Sequence, residues 1–219
     1  MRSYLDWNAT TPLRPEARMA MLAAMDVVGN PSSVHAEGRA ARGLIERARA
    51  QVAEALGAGE ADIIWTSGAT EAAALALAGR GLLSAPVEHD AVAAWTGAVL
   101  AVDRQGRVTV TDPGRSALQL ANSETGVLAQ LRGGGQEMGR RAGTENVIGI
   151  AGMGAAIAAA LRDLASGLWD EVAQLRNILE TGIAAAGKGT IFVGNDVPRL
   201  PNTSCLLAPG WKAATQVMA

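Results

Sequence analysis

The chain has 219 residues, 49% hydrophobic and 18% charged, with a net charge of −2 and a pI near 5.7. That length can bury a core as one larger domain or one and a half, and the composition excludes a disordered chain. The acidic balance leaves no basic footprint for nucleic acid, and the single cysteine, Cys205, excludes an internal disulfide framework.

Tyr4-Leu5-Asp6 reads as a short extended segment before the polar turn Asn8-Ala9-Thr10-Thr11-Pro12. The N-terminus has no apolar h-region, which with the lone cysteine gives the expectation of a cytoplasmic chain. Pro15 opens a helix through about Met25, where its missing N–H costs little. Gly29-Asn30-Pro31-Ser32-Ser33 breaks the chain. A strong helix follows from about Ala36 to Leu56, with Ala41, Leu44, Ile45, Ala48, Val52 and Leu56 recurring at three and four residues.

The apolar run Ile63-Ile64-Trp65 predicts a strand that enters the turn Thr66-Ser67-Gly68-Ala69-Thr70-Glu71 and then a helix to about Leu77. Strand, glycine turn and helix start together present free backbone N–H groups to an anion, usually a phosphate. Thr70 caps that helix or gives its hydroxyl to the anion. An ordinary capped turn explains the same six residues. From Gly79 to Gln130 the elements are short. Val87-Glu88-His89 precedes a brief helix through Trp95 that Asp90 can cap. Val99–Val102 and Val108–Val110 read as strands around the loop Asp103-Arg104-Gln105-Gly106, and Leu118–Ala121 as a third, running into Asn122-Ser123-Glu124-Thr125-Gly126.

Gly133-Gly134-Gly135 begins a glycine- and arginine-rich loop through Thr144. Asn146–Leu164 reads as a small-residue helix, and Leu168–Ala185 as an amphipathic helix on Leu168, Val172, Leu175, Leu179 and Ile183. The richest apolar run, Ile148–Leu161, is too short and glycine-interrupted to span a bilayer. Residues 190–193 and 203–207 read as strands. Alternating helices and apolar strands give an α/β fold.

In order along the chain, Tyr4-Leu5-Asp6 with Ala9-Thr10-Thr11-Pro12, Asn30-Pro31-Ser32-Ser33 with His35 and Gly38-Arg39, Thr66–Glu71, Glu88-His89, Asn122–Gly126, Gly133–Glu137 with Arg141 and Gly143–Asn146, and Pro201–Ser204 together resemble the cysteine desulfurases. These are pyridoxal-phosphate enzymes of the class V aminotransferase group. The resemblance implies an incomplete fold type I transferase, with a central, mostly parallel sheet flanked by helices and part of a small α/β domain. It divides the chain into residues 1–20, an N-terminal segment contributing to the small domain and active site, 21–144, a shortened cofactor-binding domain, and 145–219, a truncated small domain.

The same resemblance implies the site. Backbone at Ala69 and Thr70 holds the phosphate of pyridoxal 5′-phosphate, while His89 stacks on the ring and moves protons. Asn122 and Ser123 lie by the 3′-oxygen, although the family commonly has a second asparagine where Ser123 stands. Thr144 reaches the phosphate of a neighbouring subunit in a homodimer, and Arg141 lies in the same loop. The reaction implied converts L-cysteine to L-alanine, leaving sulfur as an enzyme persulfide for a sulfur acceptor or iron–sulfur scaffold protein. No metal is implied.

A plain structural reading stands beside each role: His35 and His89 as capping or packing residues, Cys205 as a packed apolar residue in Ser204-Cys205-Leu206-Leu207, Asn122–Gly126 as a turn. The family's Schiff-base lysine belongs between Asn122–Gly126 and Gly133–Gly135, with the aspartate that pairs with the pyridine nitrogen. Here Gln130 runs directly into Leu131-Arg132-Gly133, so covalent attachment at the family position is not possible. The only lysines, Lys188 and Lys212, match no such motif. The family's sulfur-accepting cysteine belongs on a loop beyond Ala219. The chain therefore reads first as an incomplete cysteine desulfurase, and these 219 residues are expected not to turn over. The alternatives are an inactive remnant, a non-catalytic dimeric binding module, or a selenocysteine lyase or other class V enzyme. A parallel sheet deprived of strands exposes edges, which predicts poor stability.

Overall fold

The computed structural model describes residues 4–59, 61–129, 146–187 and 189–210. In chain order the elements are α1 (Pro15–Met25), α2 (Ala36–Leu56), α3 (Ala69–Leu77), β1 (Leu83–Ser84), α4 (Asp90–Ala93), β2 (Gly97–Ala98), α5 (Val147–Ala165), α6 (Leu168–Ala186), β3 (Ile191–Val193) and β4 (Cys205–Leu207). A 3₁₀ turn at Pro113–Arg115 precedes Ser116. They form two compact units, Met1–Gly68 with Gly135–Leu168, and Ala69–Gly134 with Trp169–Ala219.

The first unit is helical. α2 starts where His35 Nδ1 accepts the Gly38 N–H at 3.3 Å, and it ends at Gly57 with φ +61°. That left-handed stop costs a glycine nothing. Ala41, Ile45, Ala48 and Val52 of the expected stripe are buried, whereas Leu56 is exposed. Ile45, Ala48, Val52, Trp65 and Ile150 form the core, with Ile63, Val147 and Ile157 packed on it. Each fully buried aliphatic side chain contributes roughly 1.5–3 kcal/mol.

Asn146 caps α5 by accepting the Gly149 N–H at 3.0 Å. The helix lies against α1 and α2 through its small residues. A Cβ added at Gly154 would stand 2.8 Å from the Ala48 Cβ, and one at Gly152 would stand 2.6 Å from the Met21 Cγ. Such spacing is what lets helix backbones approach. By length and composition alone α5 is long and apolar enough to cross a bilayer. This corrects the sequence reading, which stopped the apolar run at Leu161. Its glycine face is instead packed on α1 and α2, with Ile150, Ala151 and Ala159 buried.

The strand expected at Ile63-Ile64-Trp65 does not form. No neighbouring strand is there among the described residues to take its hydrogen bonds, and Trp65 is buried in the helical core with the Arg49 guanidinium 5.8 Å from its ring centre.

The second unit holds what remains of the sheet. β1 pairs with β2 in parallel, Leu83 with Gly97 and Ser84 with Ala98, and Leu83 also bridges in parallel to Ser116. The short helix α4 connects β1 to β2, making a small βαβ unit. The expected strands at 99–102, 108–110 and 118–121 shrink to isolated antiparallel bridges, Val102 with Val108 and Ala121 with Leu128. Mixed helix and strand with parallel pairing is a partial α/β fold.

β3 and β4 pair antiparallel, Phe192 opposite Leu206. They are tied to α6 by an ion pair, in which Arg199 Nη1 and Nη2 meet Glu180 Oε1 and Oε2 at 2.8 and 2.6 Å. Ser204 Oγ also donates to Glu180, and Arg176 Nη1 donates to the Leu200 carbonyl at 2.7 Å. These bonds hold the Arg176 and Glu180 face of α6. Leu175, Ile178 and Leu179 are exposed, so much of the expected apolar stripe lacks a covering layer among the described residues.

Candidate functional site

Parallel strands bind ligands outside their carboxyl ends, where connecting loops splay apart. In the second unit that edge is made by the segments that leave β1 and Ser116. The Ala117 N–H donates to the Leu83 carbonyl at 2.8 Å, the last backbone bond of that ladder. Beyond it, side chains take over. The Gln119 N–H donates to Glu88 Oε1 at 3.0 Å, Gln119 Nε2 donates to the Val87 carbonyl at 2.8 Å, and Asn122 Nδ2 donates to that same carbonyl at 3.1 Å. The Val87–His89 loop and the Asn122 turn are thereby joined.

His89 is the cap of α4, the position the sequence reading gave to Asp90. Its Nδ1 accepts the Ala91 N–H at 3.1 Å, so in the neutral ring the proton sits on Nε2. The ring is exposed. His35 uses the same device at α2, with Glu37 Oε2 3.0 Å from its Nδ1, a structural role as the sequence suggested.

Asn122 builds its own turn. Its Oδ1 accepts from the N–H groups of Glu124 and Thr125, both at 2.9 Å, and from Thr125 Oγ1 at 3.1 Å. Gly126 closes the turn at φ +74°, donating to the Asn122 carbonyl at 2.8 Å. With Oδ1 filled and one Nδ2 hydrogen used, Asn122 has a single N–H left for a ligand. Ser123 is exposed on the turn.

Behind the turn, Val127 bridges to Arg199, and the Leu200 N–H donates to the Gly126 carbonyl at 2.7 Å. The Glu180–Arg199 pair thus braces the turn from the far side. Burial and the Arg199 guanidinium act in opposite directions on Glu180; the hydrogen bonds from Arg199 lead, and its carboxyl is held below the ordinary range.

Ala69 and Thr70 occupy the first turn of α3, so Thr70 lies inside the helix and not at its cap. Both are exposed. An anion can therefore reach the first-turn N–H groups, whose dipole favours it. α3 packs on α4, the helix that His89 caps. Thr144 and Arg141 lie outside the described residues, as do Lys188 and Lys212.

Glu88 is the residue that sequence reasoning passed over. It is 9% exposed, and its Oε2 is enclosed without a hydrogen-bond partner among the described residues. Burial pushes its carboxyl up from the ordinary range, and the Gln119 N–H opposes this more weakly. Glu88, Gln119, Asn122, Val127 and Leu128 line a small open pocket. The available signal was a carboxylate at the end of an apolar strand, next to a candidate histidine. Cys205, half-buried in β4, has its thiol pushed up first by burial and then by Glu124, which leaves it a poor nucleophile.

The groups present fit a phosphorylated aromatic cofactor in part. An accessible helix N-terminus, an exposed imidazole with Nε2–H and one asparagine N–H suit a phosphate, a ring face and a ring oxygen. A lysine at the family's covalent position is missing.

Residues 3–101 match the Aminotransferase class-V family. A cysteine desulfurase from Cereibacter sphaeroides is 32% identical over 299 residues, covering 94% of this chain and 76% of that protein. Since 94% of 219 residues fills that span, about 90 of its positions have no residue here. An IscS-like cysteine desulfurase from Mycobacterium tuberculosis is 42% identical over 102 residues, 41% of this chain and 26% of that one. The X-ray structure of a NifS-like protein from Rickettsia africae ESF-5 superposes with a TM-score of 0.84 at 26% identity, covering 98% of this chain and 84% of that one.

Proposed function

This chain belongs to the cysteine desulfurase family, and from that we propose that its second unit is a cradle for pyridoxal 5′-phosphate that the 219 residues hold without covalent attachment. Enzymes of this family depend on pyridoxal phosphate and take sulfur from L-cysteine, leaving L-alanine. The observation that carries the reading is the joining of the His89 loop to the Asn122 turn at the carboxyl ends of parallel strands.

In this proposal Ala69 and Thr70 offer backbone N–H groups to the phosphate, and α3 supplies the favourable end of its dipole. His89 lies on the ring face, its Nδ1 kept unprotonated by the Ala91 N–H and its Nε2–H available to donate a hydrogen bond. Asn122 turns its remaining N–H, and Ser123 its hydroxyl, toward the 3′-oxygen. The cofactor, when bound, supplies the electron sink that the side chains lack. Thr144 reaching a neighbour's phosphate, a homodimer, a sulfur acceptor or iron–sulfur scaffold partner and a cytoplasmic setting complete the proposal. So does the division into residues 1–20, 21–144 and 145–219.

Without a lysine at the Schiff-base position, the chain gains the phosphate and ring contacts but lacks the attached amine. Titration with pyridoxal phosphate, monitored by absorbance and intact mass, tests this. The expected result is saturable, dialysable binding, no borohydride-stable lysine adduct and no alanine from L-cysteine. A stoichiometric borohydride-stable adduct, with alanine formed, overturns the non-covalent reading. Absence of saturable binding overturns the cradle itself.

A further inference from the structure

We propose that Glu88 is a positioning residue of this site: its enclosed carboxyl group holds the segment leading into the Asn122 turn in register with the loop that carries His89. The proposal rests on the cradle reading above and concerns how the cradle is kept assembled.

Along the segment after Ser116, each backbone N–H taken from water needs an acceptor. Neighbouring strand residues point their N–H groups to opposite sides. Leu120 faces the 127–129 side, its carbonyl accepting the Ala129 N–H at 2.8 Å, while Ala117 faces β1 and donates to the Leu83 carbonyl at 2.8 Å. The Gln119 N–H faces the β1 side too, but β1 has already given way there to the turn in which the Glu88 N–H donates to the Ala85 carbonyl at 3.1 Å. A backbone N–H at that place needs an acceptor, and Glu88 Oε1 supplies it from 31 residues away.

The two remaining bonds across this gap, from Gln119 Nε2 and Asn122 Nδ2, share the Val87 carbonyl. All three cross-links therefore end on the two residues immediately before His89. Of the two acceptors used, only the Glu88 carboxyl is a side-chain acceptor that substitution can remove. It is also the least exposed of these groups, so water does not replace it readily. Its Oε2 is enclosed without a hydrogen-bond partner among the described residues, so Oε1 alone carries the acceptor role, one that an amide oxygen can copy.

The test uses the full 219-residue chain and the variants Glu88→Ala and Glu88→Gln, with two readouts. Amide hydrogen exchange by NMR compares Gln119 with Ala117, whose bond to Leu83 does not involve Glu88. Pyridoxal-phosphate titration gives the affinity. Loss of one buried acceptor in Glu88→Ala is expected to speed Gln119 exchange and to weaken cofactor binding, each about tenfold, with Ala117 unchanged. Glu88→Gln is expected to restore both. If Glu88→Ala exposes Gln119 but binds the cofactor as tightly as the parent, or if Gln119 stays protected, the positioning role is overturned. If Glu88→Ala exposes Ala117 as well, Glu88→Gln decides: parental exchange with parental affinity supports the role, and parental exchange with weakened affinity overturns it. A parent chain that binds no cofactor refutes the cradle reading and takes this role with it; the variant comparison by itself overturns only this one.

Discussion

Replacing Arg199 by alanine removes the guanidinium that pairs with Glu180 through two bonds at 2.8 and 2.6 Å. Both side chains are largely buried, 6% and 13% exposed, so the stranded carboxylate keeps the Ser204 hydroxyl and the more distant charge of Arg176. Breaking a buried pair from one side costs about 3–5 kcal/mol. The loss falls on the second unit, because Arg199 also bridges through its backbone to Val127 behind the Asn122 turn. The acid dependence has a definite sign. Glu180 is held below its ordinary 4.5, so its stabilisation is present above that value and lost as pH falls through the lowered one. Equilibrium urea unfolding at pH 7 and at steps below pH 4.5, for the parent, Arg199→Ala, Glu180→Gln and the double variant, checks both. The single variants should be strongly destabilised at pH 7, should converge on the parent in acid, and should be non-additive. An Arg199→Ala chain within about 0.5 kcal/mol of the parent at pH 7, the range of ordinary surface substitutions, or additive single effects, would refute the clamp.

Glu88 has the opposite pH sign. Its raised carboxyl adds stability below 4.5 that is lost as pH rises through the folded value, so Glu88→Gln should flatten that part of the stability profile measured by urea unfolding. In the first unit, Gly154→Val should cost about 1–3 kcal/mol or more, since its Cβ alone would meet Ala48 at 2.8 Å, while Gly182→Ala in the open interior of α6 should gain about 0.5–1 kcal/mol; thermal melts separate the two. Exposed Leu175 and Leu179 on α6 should drive self-association, so Leu175→Glu with Leu179→Lys should lower light scattering at high concentration without lowering the melting temperature.

The sequence by itself determined the helices. Pro15, the His35 cap, the Ala41–Val52 stripe and Gly57 fix α1 and α2 within one segment each, because helical hydrogen bonds close between near neighbours. It also determined which motifs are present and that the lysine segment is missing, since both depend on order and not on geometry. Strands were another matter. The run Ile63-Ile64-Trp65 has the right composition, yet a strand exists only when another segment offers its edge, and here the helical core takes Trp65 instead. Tertiary structure alone decided that Glu88 reaches the Gln119 N–H and that Asn122 Nδ2 reaches the Val87 carbonyl. Those bonds join residues 31 and 35 positions apart, and only the folded path brings them within 3 Å or so of one another.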